Sequence, residues 1–88
     1  MKYEIERDFW KDFRKVRNPK LAQEILYTIE EVSKALSISD IPNIQKMKGH
    51  TSAYRIRSGN YRFGVFFEND TIIFAAFDHR SKIYKRFP

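Results

Sequence analysis

The stretch from Ala53 to Phe67 constrains the fold more than any other part of the chain. Tyr54 and Ile56 alternate with Arg55 and Arg57. Tyr61, Phe63, Val65 and Phe67 alternate with Arg62, Gly64 and Phe66. Alternation at period two marks strands with one face in a core and the other outside. Ser58-Gly59-Asn60 lies between the two runs, a composition suited to a tight reversal, so they form an antiparallel hairpin. A Ser58-Gly59 turn sets Arg55 opposite Arg62; a Gly59-Asn60 turn sets Arg57 there. Either way Arg55, Arg57 and Arg62 share one face, and Tyr54, Ile56, Tyr61 and Phe63 share the other. A three-residue bulged loop would break this parity.

The remaining segments complete one sheet and one helical layer. Lys2 to Glu6 alternates as a short strand with Tyr3 and Ile5 on one side. Asp8 is placed to cap a helix beginning near Phe9, whose apolar stripe is Phe9, Trp10, Phe13 and Val16. Asn18-Pro19 starts a second helix, with Asn as N-cap and Pro in the first helical position. That helix runs to about Leu36, and its buried stripe is Leu21, Ala22, Ile25, Ile29, Val32 and Leu36. Pro42 keeps the connector Ser37 to Asn43 from being helical. Thr71 to Phe77 is apolar on both faces and reads as a central strand, entered through an Asn69-Asp70 turn. Arg80 to Phe87 forms a short terminal helix or strand. The order β-α-α-β-β-β predicts an α+β fold, with two N-terminal helices on one face of a mostly antiparallel four-stranded sheet.

Length and composition set the bounds. Eighty-eight residues make a single domain, 1–88, and 42 % hydrophobic residues suffice for one core. Without cysteine there are no disulfides or thiolate zinc sites, which fits a reducing compartment. No apolar run approaches the ~18 residues of a membrane span. Met1-Lys2-Tyr3-Glu4 starts no signal peptide. The expectation is a soluble, cytoplasmic protein without a membrane partner.

Charge is divided unevenly. The net is +6. Residues 1–40 carry eight basic and eight acidic side chains, whereas residues 41–88 carry nine basic and three acidic ones. No acid occurs from Ile41 to Phe67. A basic half beside a neutral half points to a polyanionic partner.

The three arginines sharpen that reading. Like charges opposite one another destabilise a strand pair by a few tenths to ~1 kcal/mol, and no acid in the hairpin relieves them. A bound polyanion would offset the repulsion, because an Arg fork matches phosphate oxygens in pairs. Lys46, Lys48 and His50 precede the hairpin. His79, Arg80, Lys82, Lys85 and Arg86 follow the last strand, with Tyr84 among them, a side chain suited to stacking on a base, donating a hydrogen bond to phosphate or packing against the sheet. Two histidines without cysteine form no spaced metal site, and there is no Gly-rich phosphate loop. No metal or cofactor is expected.

The runs Ile44-Gln45-Lys46-Met47-Lys48-Gly49, Tyr54-Arg55-Ile56-Arg57-Ser58-Gly59-Asn60-Tyr61-Arg62 and His79-Arg80-Ser81-Lys82-Ile83-Tyr84 resemble the RelE branch of the RelE/ParE toxin superfamily. The β-α-α order matches as well, so the resemblance spans nearly the whole chain. It implies the toxin of a type II toxin–antitoxin system, a metal-independent endoribonuclease that cleaves mRNA in the ribosomal A site and inhibits translation. There the 2′-hydroxyl attacks the adjacent phosphate, leaving a 2′,3′-cyclic phosphate and a 5′-hydroxyl.

By the same resemblance Arg55 and Arg57 take the two basic hairpin positions, Arg62 stabilises the phosphate, and Tyr84 stacks on the substrate base. His79 or Arg80 falls near a C-terminal acid–base position. Lys46, Lys48, Lys82 and Arg86 are expected to bind RNA. Some relatives carry Lys at the hairpin positions, where a lowered pKa permits proton transfer. Arg stays protonated, so Arg55 and Arg57 should stabilise charge, leaving His79 first and Tyr84 second as proton carriers. The implied partners are the ribosome, its mRNA and a cognate antitoxin, acidic enough to balance the basic face. The alternatives are a ParE-like inhibitor of DNA gyrase and a catalytically inactive RNA-binding member.

Overall fold

In the computed structural model, which describes residues 1–88, Ser58 pairs with Tyr61 across Gly59-Asn60, so Arg57 sits opposite Arg62. Gly59 has φ 57°. A positive φ at the first central residue is what a type II′ hairpin turn requires, and glycine adopts it without a Cβ clash. The chain runs β1 (Lys2–Ile5), α1 (Arg7–Arg14), α2 (Pro19–Lys34), β2 (Ile44–Lys46), β3 (Ala53–Ser58), β4 (Tyr61–Glu68) and β5 (Thr71–His79). Short 3-10 turns cover Ile38–Asp40 and Ile83–Lys85. The sheet order is β1-β5-β4-β3-β2, with β1 parallel to β5 and every other pair antiparallel.

This is the expected α+β class with one more strand than expected. β2 has only three residues, too few for alternation to register, and it forms because β3 offers an edge to pair with. The last strand is central, as expected, and runs two residues beyond Phe77 to His79. No helix is long and apolar enough to cross a membrane.

The helix ends differ from expectation for local reasons. α1 starts at Arg7, and Glu6, not Asp8, is its N-cap. The Glu6 N–H still bonds the Phe74 carbonyl at 2.9 Å, while its own carbonyl accepts from Trp10 N–H. The chain therefore passes from β1 into α1 without a loop, and Asp8 lies inside the first turn, where its charge favours the helix N-terminus. α2 begins as expected, with Asn18 Oδ1 accepting from Lys20 N–H at 2.9 Å. It ends at Lys34, and Ala35 turns to extended geometry. The helical period stops there, so Leu36 is 93 % exposed rather than buried. Ala35 and Ile41 enter the core instead.

The main core lies between helices and sheet: Phe9, Ile25, Ile29 and Val32 meet Ile56, Phe63, Val65, Ile72, Phe74 and Phe77. Strict alternation would put Phe74 and Phe77 on opposite faces. The register jumps from Gly64↔Ala76 to Val65↔Phe74, so Ala75 is an extra residue in β5. This bulge turns both rings toward the helices. Phe9 lies 5.4 Å from Phe74 and Phe63 4.9 Å from Phe77, centroid to centroid.

A smaller core lies on the opposite face. Ala53, Ala75 and Ala76 leave a shallow seat that Ile83 and Phe87 fill. At Gly64 a Cβ would lie 2.5 Å from Cγ of Phe87, so only glycine admits the ring. Gly64→Ala is expected to lift the C-terminal segment and cost roughly 1–3 kcal/mol, the usual range for overpacking. Urea denaturation measures the loss, and faster amide exchange confined to Ile83–Phe87 would locate it.

Candidate nucleic-acid interface

β3 and β4 project Arg55, Arg57 and Arg62 from the sheet face opposite the helices, because Arg55 pairs with Gly64 and Arg57 with Arg62. None of the three forms an ion pair. The salt bridges of the chain are Lys11–Asp8, Lys34–Glu30 and those of Arg86 with Asp12 and Asp78. Arg55 donates from Nη2 to Oε1 of Gln45 on β2. Arg62 donates from Nη1 to the carbonyls of Gly59 at 2.9 Å and Tyr61 at 2.8 Å. Its Nε–H is buried and meets no acceptor. A guanidinium carries five donors, and an unmet buried donor costs about 1–3 kcal/mol. The cluster is thus a set of cations with unspent donors and no carboxylate of their own.

The C-terminal segment returns to this same face. Arg80 N–H bonds the Asn60 carbonyl at 2.8 Å, pinning the end of β5 to the hairpin turn. Ile83 and Phe87 are buried against the alanine seat. Tyr84, between them in sequence, remains 50 % exposed. Its ring is free to stack on an aromatic ligand.

Other expected residues are placed elsewhere. His79 pairs with Tyr61, whose ring stacks on Phe77 in the main core. The imidazole sits edge-on to Tyr61 at 5.5 Å, on the helix side of the sheet and not among the arginines. Its Nδ1 accepts from Ser81 N–H at 3.1 Å, so the proton of the neutral ring is on Nε2. Lys46 pairs with Tyr54 and so shares the helix-side parity, while Lys48 is exposed in the loop after β2. Lys82 is exposed and lines a cleft with Lys15, Arg17 and Asn18.

Arg86 requires a correction: expected among the RNA-binding cations, it is an internal tie. Its Nη2 donates to both oxygens of Asp12, at 3.0 and 2.9 Å, and Nη1 donates to Asp78 Oδ2 at 3.1 Å. The bond to Asp12 holds the guanidinium above its usual range against the opposing effect of burial, and Asp78 adds to it. Asp12 Oδ2 also accepts from Phe77 N–H at 3.0 Å. Pairing with β1 ends at Phe74, so the Phe77 N–H lies on an open edge, which the side chain of α1 closes. Sequence reading missed Asp12, Asp78 and Gln45. The one available signal was a lone acid, Asp12, within the apolar stripe of α1.

No protein-family model matches the chain. It is 40 % identical, over 100 % of both chains, to the toxin RelE3 of Methanocaldococcus jannaschii. The crystal structure of a RelB–RelE antitoxin–toxin complex from Methanococcus jannaschii matches with a TM-score of 0.79 at 38 % identity, covering 97 % of this chain and 99 % of that one. A chain of the archaeal RelE–RelB complex from Pyrococcus horikoshii matches with a TM-score of 0.68 over 92 % of this chain and 96 % of that one. At 16 % identity this last is a likeness of fold alone.

Proposed function

This chain belongs to the RelE toxin family, of type II toxin–antitoxin systems, and we propose that it is a metal-independent endoribonuclease cleaving mRNA in the ribosomal A site. The observation that carries the reading is the arginine face: three guanidinium groups on one sheet surface with no internal carboxylate. Such a surface neutralises a backbone phosphate, and the charge that develops when the 2′-hydroxyl attacks it. The 2′-hydroxyl gives up its proton as its oxygen forms the new P–O bond. The bond from phosphorus to the 5′-oxygen breaks and that oxygen takes up a proton, so that a 2′,3′-cyclic phosphate and a 5′-hydroxyl remain. Arg62, with Arg55 and Arg57, binds the phosphate. Tyr84 stacks on a base, and its hydroxyl and Arg80 are assigned to assist the leaving group. His79, on the helix side, is not assigned the proton transfer. The ribosome supplies the alignment of mRNA that a domain this small does not enclose.

A cognate antitoxin of acidic character completes the proposal, in line with the RelB–RelE complexes among its structural neighbours. The site of action is the cytoplasm, where translating ribosomes are. Mapping of 5′ ends after brief induction tests the activity. New ends within translated codons are expected, and intact mRNA under active translation would overturn the proposal.

The price of the site is readable at Arg57. Arg57→Gln removes a like charge directly opposite Arg62, so it should stabilise the fold by a few tenths to ~1 kcal/mol. RNA binding should weaken, with the salt dependence shallower by about one counterion. Denaturation and a salt titration of RNA affinity measure the two effects on the same protein.

A further inference from the structure

The most consequential carboxylate near the arginine face is one that does not touch it. Asp78 is the register partner of Arg62, on the adjacent strand and the same sheet face. Opposite charges so placed are within reach of one another and normally attract. Both oxygens of Asp78 are nevertheless bonded elsewhere. Its Oδ1 accepts from His79 N–H at 2.8 Å, and its Oδ2 from Arg86 at 3.1 Å. Arg86 is in turn held by both oxygens of Asp12, a side chain only 8 % exposed, anchored on α1 and bonded to the Phe77 amide. Arg62 keeps its charge without a counter-ion.

We propose that Arg86, locked by Asp12, is a positioning residue that draws Asp78 away from Arg62 and so keeps the phosphate-binding guanidinium free. The inference rests on the reading of Arg62 given above. Three elements cooperate in it: α1, distant in sequence, supplies the anchor, β5 the diverted carboxylate, and the C-terminal segment that follows it the cation. Without Arg86, the cation nearest in register to Asp78 is Arg62, which would exchange a phosphate ligand for an internal carboxylate. The clasp thus does more than fasten the C-terminal segment, because it determines which arginine Asp78 neutralises.

The test uses Arg86→Met, which keeps the length and removes the charge, and the double variant Arg86→Met/Asp78→Asn. The probe is a short fluorescein-labelled 2′-O-methyl RNA, which binds but has no free 2′-hydroxyl for cleavage. Arg86→Met should weaken binding roughly tenfold, as expected for loss of one charged hydrogen bond. The double variant should recover most of that loss, although it removes a further partner of the clasp. A purely structural role predicts no recovery. Arg86→Lys, which retains the charge, should lie between wild type and Arg86→Met and serves if the methionine variant folds poorly. A crystal structure of the folded single variant should show Asp78 paired with Arg62. Asp78 remaining apart from Arg62, or a double variant no better than the single one, overturns the proposal. If wild type itself does not bind the free RNA, single-turnover cleavage on programmed ribosomes replaces binding as the readout. Its absence there overturns the functional reading, and the crystal structure still decides where Asp78 turns.

Discussion

Arg62→Ala is expected to lower the single-turnover rate of mRNA cleavage on programmed ribosomes by roughly 10²–10³-fold, the range for removing one preorganised donor from a developing oxyanion. Among the three arginines, Arg62 is the least free to move, because Nη1 is fastened to the Gly59 and Tyr61 carbonyls. Such fixation keeps its remaining donors preorganised, and preorganisation makes an electrostatic contact effective in a transition state. Arg62→Lys separates charge from shape. It keeps the positive charge but loses the planar fork, so it should recover only part of the rate. A rate for Arg62→Ala within a few-fold of wild type, with the protein folded, would remove this arginine from the chemistry.

Phe9→Ala is expected to have the largest effect on stability, about 3–5 kcal/mol. The Phe9 ring is fully buried and touches those of Phe63, Phe74 and Phe77, so it joins α1 to the two central strands. Its loss leaves a cavity that the β4–β5 pair cannot close without breaking register. At ~0.05–0.15 kcal/mol per residue, an 88-residue domain has roughly 4–13 kcal/mol in total. The substitution therefore removes a large part of it. The midpoint of urea denaturation should fall with the slope unchanged. A shift as small as that of an exposed residue would mean that α1 does not depend on this ring.

The arginine face was legible in sequence because strand parity is a local property. Residues two apart point the same way whatever the rest of the chain does, and a two-residue turn carries that parity across the hairpin. The Asn18 cap and the start of α2 were legible for the same reason. That His79 lies on the helix side was not legible, because its side depends on which residue of β4 it faces. The bulge at Ala75 is likewise invisible to simple alternation. Leu36 obeyed the helical period on paper, but the helix had ended at Lys34.

From its sequence alone this chain is determined to form the hairpin, both helices and an arginine-lined face, since short-range sterics and alternating polarity suffice for each. Only the tertiary structure decided that Asp12 and Arg86, 74 residues apart, would meet. It also decided that Gly64 would lie beneath Phe87 and that Asp78 would turn from Arg62. Those outcomes depend on which distant groups compete for one donor or one space, and that competition exists only after the chain has closed on itself.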